Sequence, residues 1–470
     1  MADTPWLDDA CSLVDAFRSG SISPLEALDA SLAAIEASEL NAVSHLDADA
    51  ARETAAAADV SLPFGGVPFG VKELERVGGW PYTEASLVFE GRVAEDDQTS
   101  VTRLRATGAV LVAQTTAPEF GGVNCTSSRI HGTTRNPWNP ERTPGGSSGG
   151  TAASVAGGLL PIATGSDGGG SIRIPAGFSG LFGLKATYGR IPKGPKTTIQ
   201  PLTTTFGVLT RSVRDTARYF DACNGFDTRD PYSLPRVEGW EAGLGSLALA
   251  GRKAAIVPDL GTARVRTEVA DLVTDAGVAL ARDAGLDVVG FVPNLPPLGG
   301  DWGAASTVGL FVDLMDVYPD CADLLTFEMA FGLQHTYEGF DLRRAARIEQ
   351  YRTELNEAMA DMFDEVDFLI CSCNPDVAFI AEGPPPLGIG GESLVEELGL
   401  TRAAMNNAAL TAPSNMTGNP AVSIPVGLVD GLPVGMQIVA RHHAEPLLLE
   451  LSLCAERTRP WPKVAPGAPC

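Results

Sequence analysis

The sequence predicts an α/β fold in which a mixed, mostly parallel central β-sheet is covered by helices on both faces. Its 470 residues, of which 44% are hydrophobic and 20% charged, are enough to bury a large core. Short apolar runs alternate with segments of helical periodicity, as in α/β proteins with a buried sheet. Glycine is concentrated over residues 121–194, which indicates loops where the backbone approaches another group closely.

The first 60 residues predict a helical layer. Apolar residues at positions 7, 10, 14 and 17 follow the three- and four-residue spacing of a helix. Ser23 and Glu26 have the spacing of a capping box, and Pro24 occupies the first helical position. A second helix is therefore expected to begin at Pro24.

Seven apolar runs predict the strands of the sheet, since each is four to seven residues long and rich in aliphatic side chains. The predicted strands are Val110–Ala113, Leu159–Ala163, Ala254–Val257, Val288–Val292, Phe368–Cys371, Ala421–Val426 and Val434–Ala440. Helical periodicity predicts a helix over residues 265–281. Segments 225–250, 293–303 and 383–391 predict long loops, two of them because they are rich in proline and glycine.

Composition excludes several classes of function. The formal charge of −24 would repel nucleic acid and anionic membranes, and no apolar stretch is long enough to span a bilayer. The N-terminus has no pattern of a secretory signal. The eight cysteines contain no CxxC pair and predict neither a zinc site nor a disulfide framework. We expect a soluble cytoplasmic protein with no nucleic-acid or membrane partner and no metal ion.

A first serine-rich loop spans Thr143–Thr151, where two hydroxyl groups lie among four glycines directly before an Ala-rich helix. The segment matches the GxSxG pattern of a nucleophile elbow, but that elbow requires a preceding strand. Residues 139–144 contain two prolines and cannot form a central strand. The alternative is a flexible turn that caps the helix.

A second glycine-rich loop, Gly165–Pro175, places three consecutive glycines before Ser171. Consecutive N–H groups without side chains form an anion nest, and a serine at its end can be a nucleophile whose oxyanion is held by these N–H groups. A glycine loop without chemistry and a phosphate site are the alternatives. No phosphate-binding P-loop motif occurs in the chain.

Lys72 is the candidate base for such a serine. None of the five histidines lies in a glycine- or serine-rich motif, and only six of the 34 basic residues are lysines. Lys72 follows the apolar, glycine-spaced stretch Gly66–Val71, where burial would lower its pKa toward neutrality. The alternatives are a lysine that extends its amine to solvent and one that is ion-paired with Glu73.

Together these motifs resemble the amidase signature family, which combines PxxxK, GGSSGG and GxDxGGSIRxP. They occur here as Pro68–Lys72, Gly145–Gly150 and Gly165–Pro175. Four flanking segments are also similar to the family: Gly132–Asn139, Gly183–Arg190, Asn419–Gly427 and Asp430–Gln437. The resemblance is strong over 62–215 and 405–457 and weak from 225 to 400.

The resemblance implies that Ser171 is the acyl-accepting nucleophile, that Ser147 follows a cis peptide bond and relays protons, and that Lys72 is the base. It also implies an oxyanion hole, supporting residues and a substrate loop. The implied oxyanion-hole donors are the N–H groups of Gly168, Gly169, Gly170 and Ser171, the supporting residues are Ser148, Asp167 and Arg173, and the substrate-binding residues are Gly121, Gly122, Asn124 and Cys125. Asp167 and Arg173 are expected to hold the loop through an ion pair. Trp302, Phe311, Phe327 and Phe331 are either an apolar pocket wall or plain core.

The implied organisation is one amidase domain over residues 1–470. Its expected parts are an N-terminal helical layer at 1–60, a catalytic core at 62–215, a variable pocket region at 225–400 and a C-terminal core segment at 405–457. The implied activity is hydrolysis of aryl, alkyl or oligomeric amides, with carbamates and esters as further substrate classes. No cofactor is implied, and a homodimer is a candidate assembly.

Two alternative functions are open. The first is the amidase subunit of a glutamyl/aspartyl-tRNA amidotransferase, in which a partner subunit is required. Ile174 stands where that subunit usually has glutamine, and the residues after Arg190 also depart from its pattern. The second alternative is a catalytically inactive binding scaffold, which the joint presence of Lys72, Ser147 and Ser171 disfavours.

Overall fold

The computed structural model describes residues 4–196 and 202–470. Within these ranges, eleven strands form one sheet and four short strands form two separate pairs. The strands are β1 (Val43–Leu46), β2 (Pro68–Lys72), β3 (Val110–Thr115), β4 (Ser127–Ser128), β5 (Gly132–Thr133), β6 (Ile162–Asp167), β7 (Phe182–Lys185), β8 (Thr205–Thr210), β9 (Lys253–Ile256), β10 (Asp287–Val288), β11 (Phe368–Ser372), β12 (Gly388–Ile389), β13 (Glu392–Ser393), β14 (Ala421–Val429) and β15 (Leu432–Ala440).

Helices precede, follow and connect these strands. They are α1 (Ala10–Ser19), α2 (Pro24–Ala37), α3 (Ala48–Ala56), α4 (Thr99–Arg105), α5 (Gly149–Ala156), α6 (Arg173–Ser179), α7 (Val213–Cys223), α8 (Thr267–Ala284), α9 (Gly300–Leu314), α10 (Phe327–Gly339), α11 (Leu342–Glu365), α12 (Val395–Leu398), α13 (Leu400–Met405), α14 (Ala412–Thr417) and α15 (Glu445–Thr458). The predicted capping box is present at α2, where the Ser23 side chain accepts from the Glu26 N–H and the Glu26 carboxylate accepts from the Ser23 N–H.

The central sheet has the strand order β1-β3-β2-β6-β8-β7-β14-β15-β11-β9-β10. The pairs β2–β3, β2–β6, β9–β11 and β9–β10 are parallel, and the other six neighbouring pairs are antiparallel. The predicted α/β class with a mixed sheet is confirmed. Parallel pairing is not predominant, because the β14–β15 hairpin and the antiparallel strands β7 and β8 form the middle of the sheet.

Helices cover both faces of the sheet, as predicted. Along β15, Met436 and Ile438 pack in a core cluster that also contains apolar residues of α7, α8 and α15. Val439 packs in a second cluster with residues of α11 and α14. Because successive side chains of a strand point to opposite faces, this alternation places one helical layer on each side of β15.

The candidate catalytic residues meet where parallel strands end. Strands β2, β3 and β6 are parallel neighbours, so their carboxyl ends share one edge of the sheet. Lys72 is the last residue of β2 and Asp167 is the last residue of β6. Helix α5 begins at this edge, where the Gly150 N–H donates to the Thr116 carbonyl at 3.0 Å.

Some predicted boundaries are wrong. The segment 293–303 is not entirely a loop, because α9 begins at Gly300. The strand expected at Val288–Val292 is a two-residue edge strand that pairs with β9 alone. The strand expected at Leu159–Ala163 starts three residues later and continues to Asp167, since the ladder with β8 carries it through Gly165 and Ser166. The division of the chain into four parts stays a prediction.

Candidate active site

Lys72 lies at the centre of the site. Its side chain is fully buried, and its Nζ donates to Ser147 Oγ at 2.8 Å and to Ser166 Oγ at 3.0 Å. Neither alternative from the sequence holds. The amine does not reach solvent, and Glu73 instead accepts from Thr83 and lies 2.7 Å from His131 Nε2.

Burial determines the protonation of Lys72. Burial is the largest influence on the pKa of Lys72 and lowers it from 10.5 to about 7, although the Glu75 and Asp167 carboxylates act in the opposite direction. Two hydroxyl groups are the hydrogen-bond partners of the amine, and hydroxyls carry no charge that would fix it as an ammonium ion. The lysine therefore exchanges a proton close to neutral pH.

The loop that carries Ser147 is held tightly between neighbouring segments. The peptide bond between Gly146 and Ser147 is cis. A Cβ at Gly146 would lie 2.7 Å from the Val123 carbonyl oxygen, and one at Gly145 would lie 2.8 Å from the Pro175 Cα. These glycines are thus required where the serine loop passes between two stretches of backbone.

Ser148 joins the two serine loops. Its N–H donates to the Ser171 carbonyl at 3.3 Å. Its buried hydroxyl lies 3.3 Å from the Ser166 carbonyl oxygen and 3.4 Å from the Ser166 nitrogen. The structure therefore brings Ser147, Ser171 and Lys72 to one place, although 99 residues separate the first from the last of them in sequence.

Ser171 is half-buried at the end of the glycine nest, which leaves it accessible to a small molecule. Gly168 and Gly169 are half-buried as well. Among the residues that the structure describes, the N–H groups of Gly168, Gly169 and Ser171 donate to no other group. They are the N–H groups that can face a bound anion.

The prediction for Gly170 requires a correction. Its N–H donates to Asp167 Oδ1 at 2.8 Å, so it is directed at the carboxylate and is not free for an oxyanion. The Gly170 carbonyl accepts from the Ile174 N–H at 2.7 Å. A φ of +134° explains why glycine is required there.

The expected ion pair between Asp167 and Arg173 is present and fully buried. Arg173 donates through Nη2 to Asp167 Oδ1 at 2.9 Å and through Nε to Asp167 Oδ2 at 3.0 Å. Burial opposes ionisation of Asp167, but the Arg173 guanidinium overcomes it and holds the pKa of that carboxyl below its usual range. The remaining guanidinium donors reach residues of α14 and β15 and the residue before α14. These partners are Thr411, Ser414, Asn415 and Gln437.

The predicted substrate loop lies against the Ser147 loop. A Cβ at Gly121 would lie 3.1 Å from Ser147 Oγ, and the Asn124 and Cys125 backbones pack against Gly146. The Cys125 side chain is buried against Gly383. Gly121 therefore lies close to the Ser147 hydroxyl, whereas the Cys125 side chain is packed away against Gly383.

Helices α9 and α10 border the site on two sides. The ring of Trp302 packs so closely on Gly169 that a Cβ there would lie 2.5 Å from it. Met329 of α10 packs on Gly122 in the same way. Trp302 is thus part of the predicted wall, whereas Phe327 and Phe331 are largely exposed at 77% and 62%. Phe311 packs beside Tyr318 and Tyr337.

Sequence reasoning missed residues that hold Lys72 and the predicted substrate loop in place. Ser166 is the second hydrogen-bond partner of the Lys72 amine. Its position directly before Asp167 in the glycine-rich motif was the sequence feature that could have identified it. Glu119 accepts from Ser86 and from Thr326, the residue before α10, and thereby ties α10 to the substrate loop. No local pattern distinguishes Glu119 or Thr326 in the sequence.

The described part of the chain also bears on metal binding and membrane insertion. Within residues 4–196 and 202–470, no group of three or more His, Cys, Asp or Glu side chains is arranged to hold a metal ion. The helices in those ranges include none with the length and apolar character needed to cross a membrane.

Comparison with known proteins bears on the class to which this protein belongs. A family model described as Amidase matches residues 26–449. An acylamidase of Rhodococcus erythropolis is 30% identical over 98% of this chain and 97% of its own. A glutamyl-tRNA(Gln) amidotransferase subunit of Lacticaseibacillus paracasei is 30% identical over 97% of this chain and 98% of its own. The crystal structure of a bacterial aryl acylamidase superposes with a TM-score of 0.89 at 27% identity, covering 98% of both chains.

The fold, the site and these similarities define the class of protein as a hydrolase that acts on carbon–nitrogen bonds. The chain belongs to the amidase signature family, as the sequence motifs indicated.

Proposed function

We propose that this protein hydrolyses small-molecule amides through an acyl-enzyme on Ser171, with Ser147 as proton relay and Lys72 as base. One observation carries the proposal. A fully buried lysine whose pKa is lowered to about 7 donates a 2.8 Å hydrogen bond to the serine hydroxyl beside an anion nest. This arrangement supplies a base, a relay and an anion site without a histidine.

In the first half of the reaction, the neutral Lys72 amine accepts the Ser147 proton while Ser147 takes the proton of Ser171. The Ser171 oxygen then attacks the amide carbonyl carbon. The N–H groups of Gly168, Gly169 and Ser171 stabilise the oxyanion. The Gly170 N–H orients the loop through Asp167.

In the second half, Ser147 passes the proton to the leaving nitrogen and recovers one from the Lys72 ammonium ion. The carbon–nitrogen bond breaks, and the amine leaves while the acyl group stays on Ser171. Water, deprotonated through the same relay, attacks the ester, and the relay returns that proton to the Ser171 oxygen as the acyl–oxygen bond breaks and the acid is released. Lys72 alternates between its two protonation states, which a pKa near 7 permits at neutral pH.

The walls of the site support an apolar substrate. Trp302 packs on Gly169 of the glycine nest and Met329 on Gly122 of the substrate loop, so both contribute apolar surface to the proposed site. The similarity to an acylamidase and to an aryl acylamidase supports an aryl or alkyl amide. Carbamates and esters pass through the same acyl-enzyme chemistry and are further candidates.

The amidotransferase subunit is the second candidate, because that relative is as similar in sequence as the acylamidase. Ile174 disfavours it. The side chain packs in an apolar cluster with Phe178, Ala378 and Leu432. It therefore provides no amide group where that subunit usually has glutamine.

A substrate panel tests the proposal. Aryl amides, alkyl amides, glutamine, carbamates and esters are incubated with the purified chain, and amine or alcohol release is measured, with Ser171→Ala as the control. Turnover of an aryl or alkyl amide without a partner, abolished in the control, is the expected result. Ammonia release from glutamine that appears only when a partner subunit is added would favour the amidotransferase subunit. Absence of turnover both with and without such a partner would favour an inactive scaffold.

A further inference from the structure

Glu75 is a buried carboxyl group next to the base that the proposed reaction does not use. Its N–H donates to the Lys72 carbonyl at 2.8 Å, so the chain turns back on itself directly after β2. The side chain has no exposed surface. Within the described residues neither carboxyl oxygen makes a hydrogen bond of ordinary length and angle, although the Thr164 and Ser100 hydroxyl groups are near enough to lower its pKa. Burial of a carboxyl group without such hydrogen bonds costs free energy and requires an explanation.

The groups around Glu75 come from four elements. Lys72 lies at the end of β2, the Ser100 hydroxyl on α4, the Thr164 hydroxyl on β6, and Tyr219 and Cys223 on α7. Tyr219 is also fully buried, and its hydroxyl has no partner within the described ranges.

Lys72 is the only one of these groups that carries a positive charge. Arg103 acts on Tyr219 and Cys223, and Asp167 acts on Lys72, but neither is among the groups that influence Glu75. The thiol and the phenol are neutral near pH 7 because burial raises both of their pKa values. The titration of Glu75 is therefore linked to that of Lys72.

Two buried groups of opposite type can avoid a net charge in two ways. Either the amine and the carboxylic acid are both neutral, or the ammonium and the carboxylate are both charged, and the two states hold the same number of protons. Burial raises the pKa of Glu75 to about 8, partly offset by Thr164, Lys72 and Ser100. Loss of one proton from either state leaves the neutral amine beside the carboxylate, and this is the form of the pair that accepts the serine proton and becomes ammonium and carboxylate.

We propose, on the basis of the function proposed above, that Glu75 is a positioning residue for Lys72. Its carboxylate stabilises the ammonium ion that arises when Lys72 accepts the serine proton. The buried environment is what makes this effect strong, because none of the other groups around Glu75 is a cation that competes for the carboxylate and no solvent screens it. Glu75 makes no hydrogen bond to Ser147 or Ser171, so in this proposal it acts only through the charge of the lysine.

The test is the pH profile of kcat/KM for Glu75→Gln, an isostere without the charge. Loss of the carboxylate should shift the acidic limb to lower pH by at least half a pH unit and also lower the plateau, because the weaker base takes the serine proton less readily. Glu75→Asp, which keeps the charge, should keep the limb within half a unit of the wild-type position. An acidic limb at an unchanged or higher pH in Glu75→Gln overturns the proposal.

A second variant and a control keep the test decisive. Glu75→Leu fills the same space without an unsatisfied polar group, so it provides a folded, uncharged variant if the glutamine does not fold. Asp215→Asn removes another fully buried carboxyl group whose pKa burial raises to about 7, and that group caps α1 through Ala10 and Cys11. Its acidic limb should stay where the wild type has it.

Equilibrium unfolding distinguishes failure of this proposal from failure of the proposed function. Because folding raises the pKa of Glu75 above its value of 4.5, the wild type should lose stability relative to Glu75→Gln as pH rises from 4.5 to 8. This readout needs no activity. If Lys72→Ala stays active, the proposed function fails while the unfolding result still decides whether the buried carboxyl titrates. A pH-independent difference between the two proteins overturns the Glu75 proposal.

Discussion

The pH dependence of catalysis follows directly from the burial of Lys72. The amine must be neutral to accept a proton, and burial lowers its pKa from 10.5 to about 7. A group with a pKa of about 7 is roughly half neutral at pH 7, about one-tenth at pH 6 and about one-hundredth at pH 5. We therefore expect kcat/KM to rise about tenfold from pH 5 to 6 and about fivefold from pH 6 to 7, and to level off above about pH 8.

The same reasoning gives the expected effect of two substitutions of Lys72 on kcat/KM. An exposed lysine, with a pKa of about 10.4, would be neutral in roughly one molecule in 2,500 at pH 7. Lys72→Ala removes the base altogether and should lower kcat/KM by about 10²–10⁴. Lys72→Arg should be equally inactive, because guanidinium does not lose its proton at these pH values.

The assay measures initial rates on the best amide of the substrate panel. The rates are recorded from pH 5 to 9 at constant ionic strength. Circular dichroism of each variant confirms that it is folded. Near-normal turnover of Lys72→Arg with an unchanged pH profile would refute the reasoning. The base would then be sought among the histidines, with His131 first because it lies between the substrate loop and the Ser147 loop in sequence.

Three further predictions concern the surroundings of the site. Arg173→Met leaves the Asp167 carboxylate buried and unpaired, so urea unfolding should show a loss of about 3–5 kcal/mol, and a loss below about 1 kcal/mol would contradict the role of the pair. Gly169→Ala places a methyl group against the Trp302 ring and should lower kcat/KM at least tenfold. The control Gly303→Ala has open space around its added methyl group and should keep the wild-type kcat/KM. Equal activities of the two variants would count against the close packing of Trp302 on Gly169. Dialysis against a strong chelator should leave activity unchanged, and a loss restored by a metal ion would reveal a site assembled from distant residues.

The sequence singles out Lys72, Ser147 and Ser171 because each lies in or beside a local motif. Ser147 and Ser171 each lie in an unbroken glycine-rich motif, and Lys72 follows an apolar stretch that buries it. The structure brings all three together. The Gly170 N–H could not be assigned from the same motif, because its direction depends on the position of the Asp167 carboxylate.

Support from distant segments was not predictable. Thr411, Asn415 and Gln437 bind Arg173 across more than 230 residues of sequence, and no local pattern marks them. The sequence likewise did not predict whether neighbouring strands pair in parallel or antiparallel, because an apolar run indicates that a strand is buried but not the direction of the strand beside it. The first residues of α9 were predicted as part of a loop because glycines occupy the first turn of this helix.

The central claim is that Ser171 is the nucleophile, and covalent labelling tests it most directly. The protein is treated with a serine-directed fluorophosphonate and digested, and the modified residue is located by tandem mass spectrometry. We predict that the added mass lies on Ser171 and that Lys72→Ala reacts far more slowly. A label on Ser147 or Ser148, with Ser171 unmodified, would contradict the account.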